Sequence, residues 1–206
     1  LISSAASDVY KRQHLIGCFE LADVTLDKKL KKRLLNIVVV GGGFSGVETI
    51  GELKEMSGRL LRYYKNISEN ELKFHIVEFS DKLLPELAGN ISKYTLSVFQ
   101  KRKIKIHLKT ALKEVSIYKV FLSNGKSIET NTIISTIGST VSKIIKKSGL
   151  PLKNGKIITN EFLQVSNLEN VWAIGDSALI PNKLDLNDYP YSPPTAQFAV
   201  RQAKLL

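Results

Sequence analysis

Residues Asn36 to Gly46 read NIVVVGGGFSG. A β-branched run such as Asn36 to Val40 has the composition of a strand buried on both faces of a parallel sheet. It ends in Gly41-Gly42-Gly43-Phe44-Ser45-Gly46, after which Val47, Ile50, Leu53, Met56 and Leu60 recur at helical spacing between Glu48, Glu52, Lys54 and Glu55. The order is strand, glycine turn, amphipathic helix.

A Gly-x-Gly-x-x-Gly pattern by itself is weak, because glycine is common in turns. Here Gly41, Gly43 and Gly46 have a strand before them and a helix after them. Gly41 permits a tight turn, Gly43 lets the backbone approach a pyrophosphate, and Gly46 lets the helix pack closely on the strand. The helix N-terminus then offers free N–H groups and partial positive charge to phosphates. The context favours a dinucleotide loop over a purely structural turn.

Working outward, Lys73 to Phe79 (KFHIVEF) reads as a second strand and completes a strand, helix, strand unit of the Rossmann type. Glu78 lies at its end, where a carboxylate accepts hydrogen bonds from ribose hydroxyls and repels a 2′-phosphate, so NADH is expected over NADPH. The spacing from the glycine loop exceeds the usual ~20 residues, which a longer helix and loop through Arg59 to Asn70 would absorb. The alternative is a solvated strand-end glutamate.

Ile91 to Lys103 suggests a second helix and Ile104 to Leu108 a third strand. Between Ala111 and Ile137, short β-branched runs are separated by Asn124-Gly125, a two-residue hairpin signal. That predicts an antiparallel excursion which returns to the main sheet through Thr132 to Ile137. A second Asn-Gly, at Asn154-Gly155, precedes a short strand, Lys156 to Thr159. Upstream, Phe19 to Leu35 has apolar residues at helical intervals and reads as one surface helix leading into the first strand.

The 206 residues carry 43% hydrophobic and 24% charged side chains with one Cys. This composition is globular, and it excludes a disulfide framework or a Cys-based zinc site. The net charge of +11 is spread along the chain with few interleaved aromatics. A solvated surface is expected, rather than a nucleic-acid patch. No apolar run approaches the roughly 20 residues of a membrane-spanning helix. Cys18 is expected to have no partner, His75 and His107 to be single structural histidines, and Trp172 to pack in the core; no metal site is expected.

Ser3 to Gln13 (SSAASDVYKRQ) looks like the translation of a sequencing-library adapter, the alternative being a native polar arm. On that reading residues 1–13 lie outside the fold, and the chain lacks its own N-terminus.

Downstream, Asn170-Val171-Trp172-Ala173-Ile174-Gly175-Asp176 is an apolar strand running into Gly-Asp. Together with VVVGGGFSGVE, the STIG of Ser135 to Gly138, and PPTAQFAVRQA at Pro193 to Ala203, it makes the chain resemble type II NADH dehydrogenases. These are FAD-dependent members of the pyridine nucleotide-disulfide oxidoreductase superfamily, which has two dinucleotide folds. The resemblance covers about Asn36 to the end.

That resemblance implies an α/β fold: a Rossmann-type parallel sheet with an antiparallel β excursion, plus part of a second, FAD-binding Rossmann-like domain. The domains would be a remnant of the FAD domain or a linker helix at 14–35, an NADH domain at 36–139 and the C-terminal part of an FAD domain at 140–206. Gly41, Gly42, Gly43, Phe44, Ser45, Gly46 and Glu78 would contact NADH, and Gly138 would be a further cofactor-binding residue. Gly175 and Asp176 would meet the FAD, and Thr195, Ala196 and Gln197 would start a helix near the isoalloxazine and the quinone pocket. Asp176 would equally serve as a helix N-cap, and PPTAQ as a Pro-opened helix start. Glu48 matches an acidic position near the nicotinamide, or complements the helix dipole from the first turn.

The implied activity is hydride transfer from NADH to flavin, with electrons passed on to a quinone at a membrane surface. That surface would be the cytoplasmic face of a prokaryotic membrane, with the protein peripheral to it, and the resemblance allows a homodimer. The family's second motif glutamine is replaced by Arg201, with the next glutamine at Gln202. The first FAD loop is not in this sequence, so the chain is expected to bind FAD poorly and to be inactive alone. A ferredoxin or disulfide reductase and a non-catalytic NADH-binding module are the rival functions.

Overall fold

The computed structural model describes residues 5–87, 89–137, 143–182 and 190–206, with side chains for all of these except 5–8 and 143. The chain forms two compact units, Leu1–Gly138 and Ser139–Leu206.

The first unit is organised around a four-stranded parallel sheet in the order β3-β2-β1-β7. Its strands are β1 (Asn36–Val40), β2 (Lys73–Val77), β3 (Ile104–His107) and β7 (Thr132–Ser135). All five residues of β1 are buried, as the β-branched run predicts for a strand covered on both faces. The two faces differ in what covers them. Ile37 and Val39 join a core with Leu15, Phe19, Ile50, Leu53 and Phe99, supplied by α1 (Ala5–Val24), α3 (Phe44–Leu60) and α4 (Gly89–Lys101). Val38 and Val40 face the other way, onto Val120, Leu122 and Ile128 of an antiparallel sheet. Strand alternation therefore gives helices to the odd residues and the β excursion to the even ones.

That excursion has three strands, β4 (Leu112–Ser116), β5 (Lys119–Leu122) and β6 (Ser127–Glu129), in sequence order. The Asn124-Gly125 turn is not the two-residue hairpin its sequence suggests. Beyond the Phe121–Ser127 pair, Leu122 N–H bonds the Lys126 carbonyl at 2.9 Å, Gly125 has φ +79° and Asn124 is not left-handed, so the loop is a three-residue turn, 123–125, closed by a left-handed glycine. The two-residue geometry occurs instead at Asn154-Gly155, with φ of +52° and +76°, the two positive values a type I′ turn requires.

The single helix expected from Phe19 to Leu35 is two. The α1 helix ends at Val24 and α2 runs from Lys28 to Leu34. The break is caused by Asp27, whose Oδ1 accepts from the N–H groups of Lys29 (2.8 Å) and Leu30 (3.2 Å) and so starts a new helix. These bonds hold its carboxyl below the usual range. Leu15, Cys18, Phe19 and Ala22 form the buried stripe of α1, at i, i+3, i+4 and i+7. Much of 14–35, read from the sequence as a remnant or linker, thus packs in the core of the first unit. The helix continues back through Ala5 to Gln13.

The second unit contains a three-stranded sheet, order β10-β9-β8, from β8 (Leu152–Lys153), β9 (Lys156–Ile158) and β10 (Ala178–Leu179). Among the described residues of this unit the helices are α5 (Lys143–Lys147) and α6 (Ala196–Ala203). Asn170 to Asp176 is not a regular strand. It makes one bridge, Trp172 to Gln164, and enters a 3-10 turn at Gly175–Ser177. Trp172 is 47% exposed, contrary to the expectation of a core residue, because the extended segment turns its neighbour Ala173 inward. No helix of the described residues is long and apolar enough to cross a membrane.

Candidate functional site

The glycine loop sits at the C-terminal end of β1, where the chain passes from one side of the sheet to the other: β2 pairs on one edge of β1 and β7 on the opposite edge. In open α/β sheets this switch point is where ligands bind. Each of the three motif glycines has a different physical reason to be glycine. Gly41 has φ +108°, and a Cβ there would lie 2.6 Å from Thr136 Oγ1. At Gly46 a Cβ would overlap the carbonyl oxygen of Gly41, so α3 packs against the turn where no side chain fits. Gly43 is the opposite case: its added Cβ would meet nothing within 4 Å. The open space in front of Gly43 is a cradle for a group outside the protein. Gly43 is also the N-cap of α3, with no side-chain cap, so the N–H groups of the first turn, Phe44 to Gly46, are left for a ligand.

Glu78 closes the loop from β2. Its Oε2 accepts from Gly42 N–H at 2.5 Å and its Oε1 from Ser80 N–H at 2.7 Å. A Cβ on Gly42 would come within 2.9 Å of the Glu78 side chain, so Gly42 is glycine to let this carboxylate in. Each carboxylate oxygen has a second lone pair beyond the one so engaged, which a ribose hydroxyl can use. A cleft of about 340 Å³ opens here, lined by Gly41, Gly43, Glu78, Glu86, Thr110 and Thr136 among others. An acidic strand end, an open cradle at Gly43 and a free helix N-terminus fit the adenosine and pyrophosphate of a dinucleotide.

Two residues of this cleft escape sequence reasoning. Thr136 bonds the end of β1 twice, N–H to Val40 carbonyl at 2.7 Å and Oγ1 to the same oxygen at 2.9 Å. It thereby wedges β7 under the turn, and its place in the STIG string is the only signal for it. Glu86 has a carboxylate oxygen, Oε2, that is buried with no hydrogen-bond partner; nothing in the sequence marks it. Gly138 lies outside the described residues.

Glu48 lies elsewhere. It is exposed on α3 and borders a separate groove of about 660 Å³ with Thr49, Glu52 and Met56. Because α3 starts at Phe44, Glu48 falls in its second turn and no acidic side chain occupies the first. The first-turn reading of Glu48 is therefore corrected.

In the second unit the structure joins two separate sequence motifs. Gln202 of α6 is buried, and its Oε1 accepts from Gly175 N–H at 2.8 Å. Gly175 has φ +68° and Asp176 is exposed. Asp176 is not an N-cap, since Ile174 holds that position of the 3-10 turn. Thr195 is the N-cap of α6, its Oγ1 accepting from Phe198 N–H at 3.5 Å, and Ala196 and Gln197 are the first two helical residues. Pro193 and Pro194 thus precede the cap instead of opening the helix. The displaced glutamine at 202 is engaged with the Gly175 turn, and Arg201 is exposed.

The histidines are not single. His75 Nδ1 and His107 Nε2 share a hydrogen bond of 3.0 Å between adjacent strands, with the rings stacked. Burial, then His107 and nearby lysines, lower the His75 pKa to about 3; burial also lowers that of His107. Cys18 is buried with its Sγ 3.6 Å from His14 Nε2 and 3.8 Å from Thr132 Oγ1. Burial pushes its thiol up, as in an inert structural cysteine. Among the described residues no group of three or more His, Cys, Asp or Glu could hold a metal ion.

Comparisons with known proteins agree with this architecture. A probable NADH dehydrogenase of Dictyostelium discoideum is 34% identical over 95% of this chain and 42% of its own length. An external alternative NADH-ubiquinone oxidoreductase, mitochondrial, of Yarrowia lipolytica is 32% identical over 80% of this chain and 31% of its own. The structure of NDH2 from Plasmodium falciparum in complex with NADH superposes with a TM-score of 0.71 at 26% identity, covering 84% of this chain and 38% of that one. The chain spans less than half the length of each. The model of the pyridine nucleotide-disulphide oxidoreductases matches residues 11–203, from the first helix to the end of the last. Since that match runs through both compact units, the chain belongs to the pyridine nucleotide-disulphide oxidoreductase family.

Proposed function

We propose that this chain carries the NADH-binding part, and a portion of the FAD-binding part, of an NADH dehydrogenase that passes electrons to a quinone. The observation that carries the reading is the loop at Gly43, open to a ligand where its two companion glycines are sterically closed. The names of the relatives, NADH dehydrogenase and NADH-ubiquinone oxidoreductase, support it.

In this reading the main-chain N–H groups of Phe44, Ser45 and Gly46 bind the pyrophosphate, aided by the positive end of α3. Glu78, fixed by Gly42 and Ser80, accepts from the adenosine ribose hydroxyls. The same carboxylate repels a 2′-phosphate, which favours NADH over NADPH. In the second unit Asp176 and the first N–H groups of α6, at Ala196 and Gln197, are the groups that would hold FAD. When bound, FAD supplies the two-electron acceptor that no side chain provides. Glu48, exposed on α3, supplies a carboxylate to orient the nicotinamide or move a proton. The acceptor is a quinone and the working place a membrane surface, reached without a spanning helix in the described residues.

The test is Gly43→Trp. Its Cβ has open space and its φ of −74° suits any residue, so the chain keeps its fold by circular dichroism while the indole fills the cradle. NADH binding by fluorescence should fall at least tenfold. Unchanged binding in a folded variant would sink the reading.

A further inference from the structure

We infer that Glu86 forms the adenine end of the cleft, accepting a hydrogen bond from the exocyclic amino group of the dinucleotide; this rests on the NADH reading of the same cleft and deepens it. The cleft has two acidic walls that differ in how they are held. Glu78 is anchored, both oxygens bound by main-chain N–H groups beside the glycine loop, which places it against the ribose next to the pyrophosphate. Glu86 is not anchored: among the described residues no donor reaches its Oε2.

A buried carboxylate oxygen without a donor is rare in folded proteins and calls for an explanation. The terminal torsion of a glutamate is broad, so this carboxylate can turn into the cleft without giving up a protein hydrogen bond at Oε2. The walls around it are apolar, with Phe79, Pro85, Ala111 and Leu112 bordering the same cleft. Flat apolar walls suit a purine ring, which lies one glycosidic bond farther from the pyrophosphate than the ribose does. Thr110 Oγ1, also on the cleft, already donates to Leu108 carbonyl at 2.8 Å. An ionised carboxylate only accepts, and on the outer edge of adenine the amino group is the donor while the ring nitrogens accept. Glu86 is thus matched to the amino group.

The probe is nicotinamide hypoxanthine dinucleotide in reduced form, in which a carbonyl oxygen replaces that amino group. A site built to pair with that amino group rejects an analogue lacking it, since the analogue sets its carbonyl oxygen against the carboxylate and its one new donor, the ring N1–H, lies one position away. The 206-residue chain is expected to bind NADH at least tenfold more tightly than the hypoxanthine analogue. Glu86→Ala should bring the two affinities within twofold of each other. Glu86→Gln, isosteric and able to donate or accept, should keep NADH binding within a few-fold and improve that of the analogue. Equal binding of both dinucleotides by the unaltered chain, or an undiminished preference in Glu86→Ala and Glu86→Gln, would overturn the inference while leaving the NADH reading standing. Binding of neither dinucleotide by the folded chain would overturn that reading and this one with it.

Discussion

The glycine turns of the two units look alike on paper and differ in kind. Gly41 to Gly46 and Gly175-Asp176 each follow an apolar segment, and the sequence reads both as nucleotide contacts. In the first unit the glycines are demanded by space: Gly46 meets the Gly41 carbonyl and Gly41 meets Thr136. In the second the nearest atom to a Cβ on Gly175 is Ala199 Cβ at 3.5 Å, an ordinary contact, and only the φ of +68° asks for glycine. A crowded glycine resists every substitution, whereas a conformational one resists only in proportion to backbone strain.

The contrast can be broken most sharply at Gly46. Gly46→Ala should cost about 4 kcal/mol, at the upper end for a single substitution, because a methyl group there would overlap the Gly41 carbonyl oxygen. Urea unfolding measures this, and a loss under 1 kcal/mol would show the turn to be as tolerant as the second. Acid provides the next largest effect and again separates the units, since all three histidines of the chain, His14, His75 and His107, lie in the first. The folded pKa of His75, about 3, is below the ordinary 6.5, so between those values the unfolded chain binds more protons than the folded one. Stability from this group is therefore present above pH 6.5 and lost as the pH falls, with a limiting slope of about 1.4 kcal/mol per pH unit. The first unit should loosen before the second on acidification, and His75→Gln, which does not titrate, should flatten the slope.

Smaller effects probe the second turn. Gln202→Leu leaves the Gly175 N–H without its acceptor and should cost ~2 kcal/mol, read as a lower melting temperature of that unit. Gly175→Ala should cost ~1 kcal/mol, the strain of a left-handed alanine. The smallest effect on stability belongs to Gly43→Ala, under ~0.5 kcal/mol at an open position. Its NADH affinity should nonetheless fall, since the methyl group occupies the cradle. A Gly43→Ala chain as unstable as Gly46→Ala would erase the distinction between ligand-facing and packing glycines.

Much of the first unit was legible because its signals are local. The Asn36 to Val40 run, the glycine spacing and the helical stripe from Val47 to Leu60 each act within a few residues, and each element forms where its pattern lies. Errors arose where side chains choose among local options. Asp27 split one expected helix by capping a second, and Asn124-Gly125 took a three-residue turn because strand register carried the pairing on to Leu122 and Lys126. Trp172 reads as core by composition, yet alternation along its segment put Ala173 inward instead.

By itself the sequence determined the strand-turn-helix unit, the roles of Gly41 and Gly46 and the acidic end of β2, because backbone sterics and hydrophobic periodicity are properties of neighbouring residues. Tertiary structure alone decided that Glu78 holds Gly42, that Thr136 wedges the turn, that Gln202 reaches back to Gly175, and that Glu86 stands unpaired on the cleft wall. These pairings join residues 27 to 96 positions apart, or rest on the absence of a partner, and no local pattern encodes either. Hydrogen bonds are short-ranged, so which groups meet is known only once the chain has brought them together.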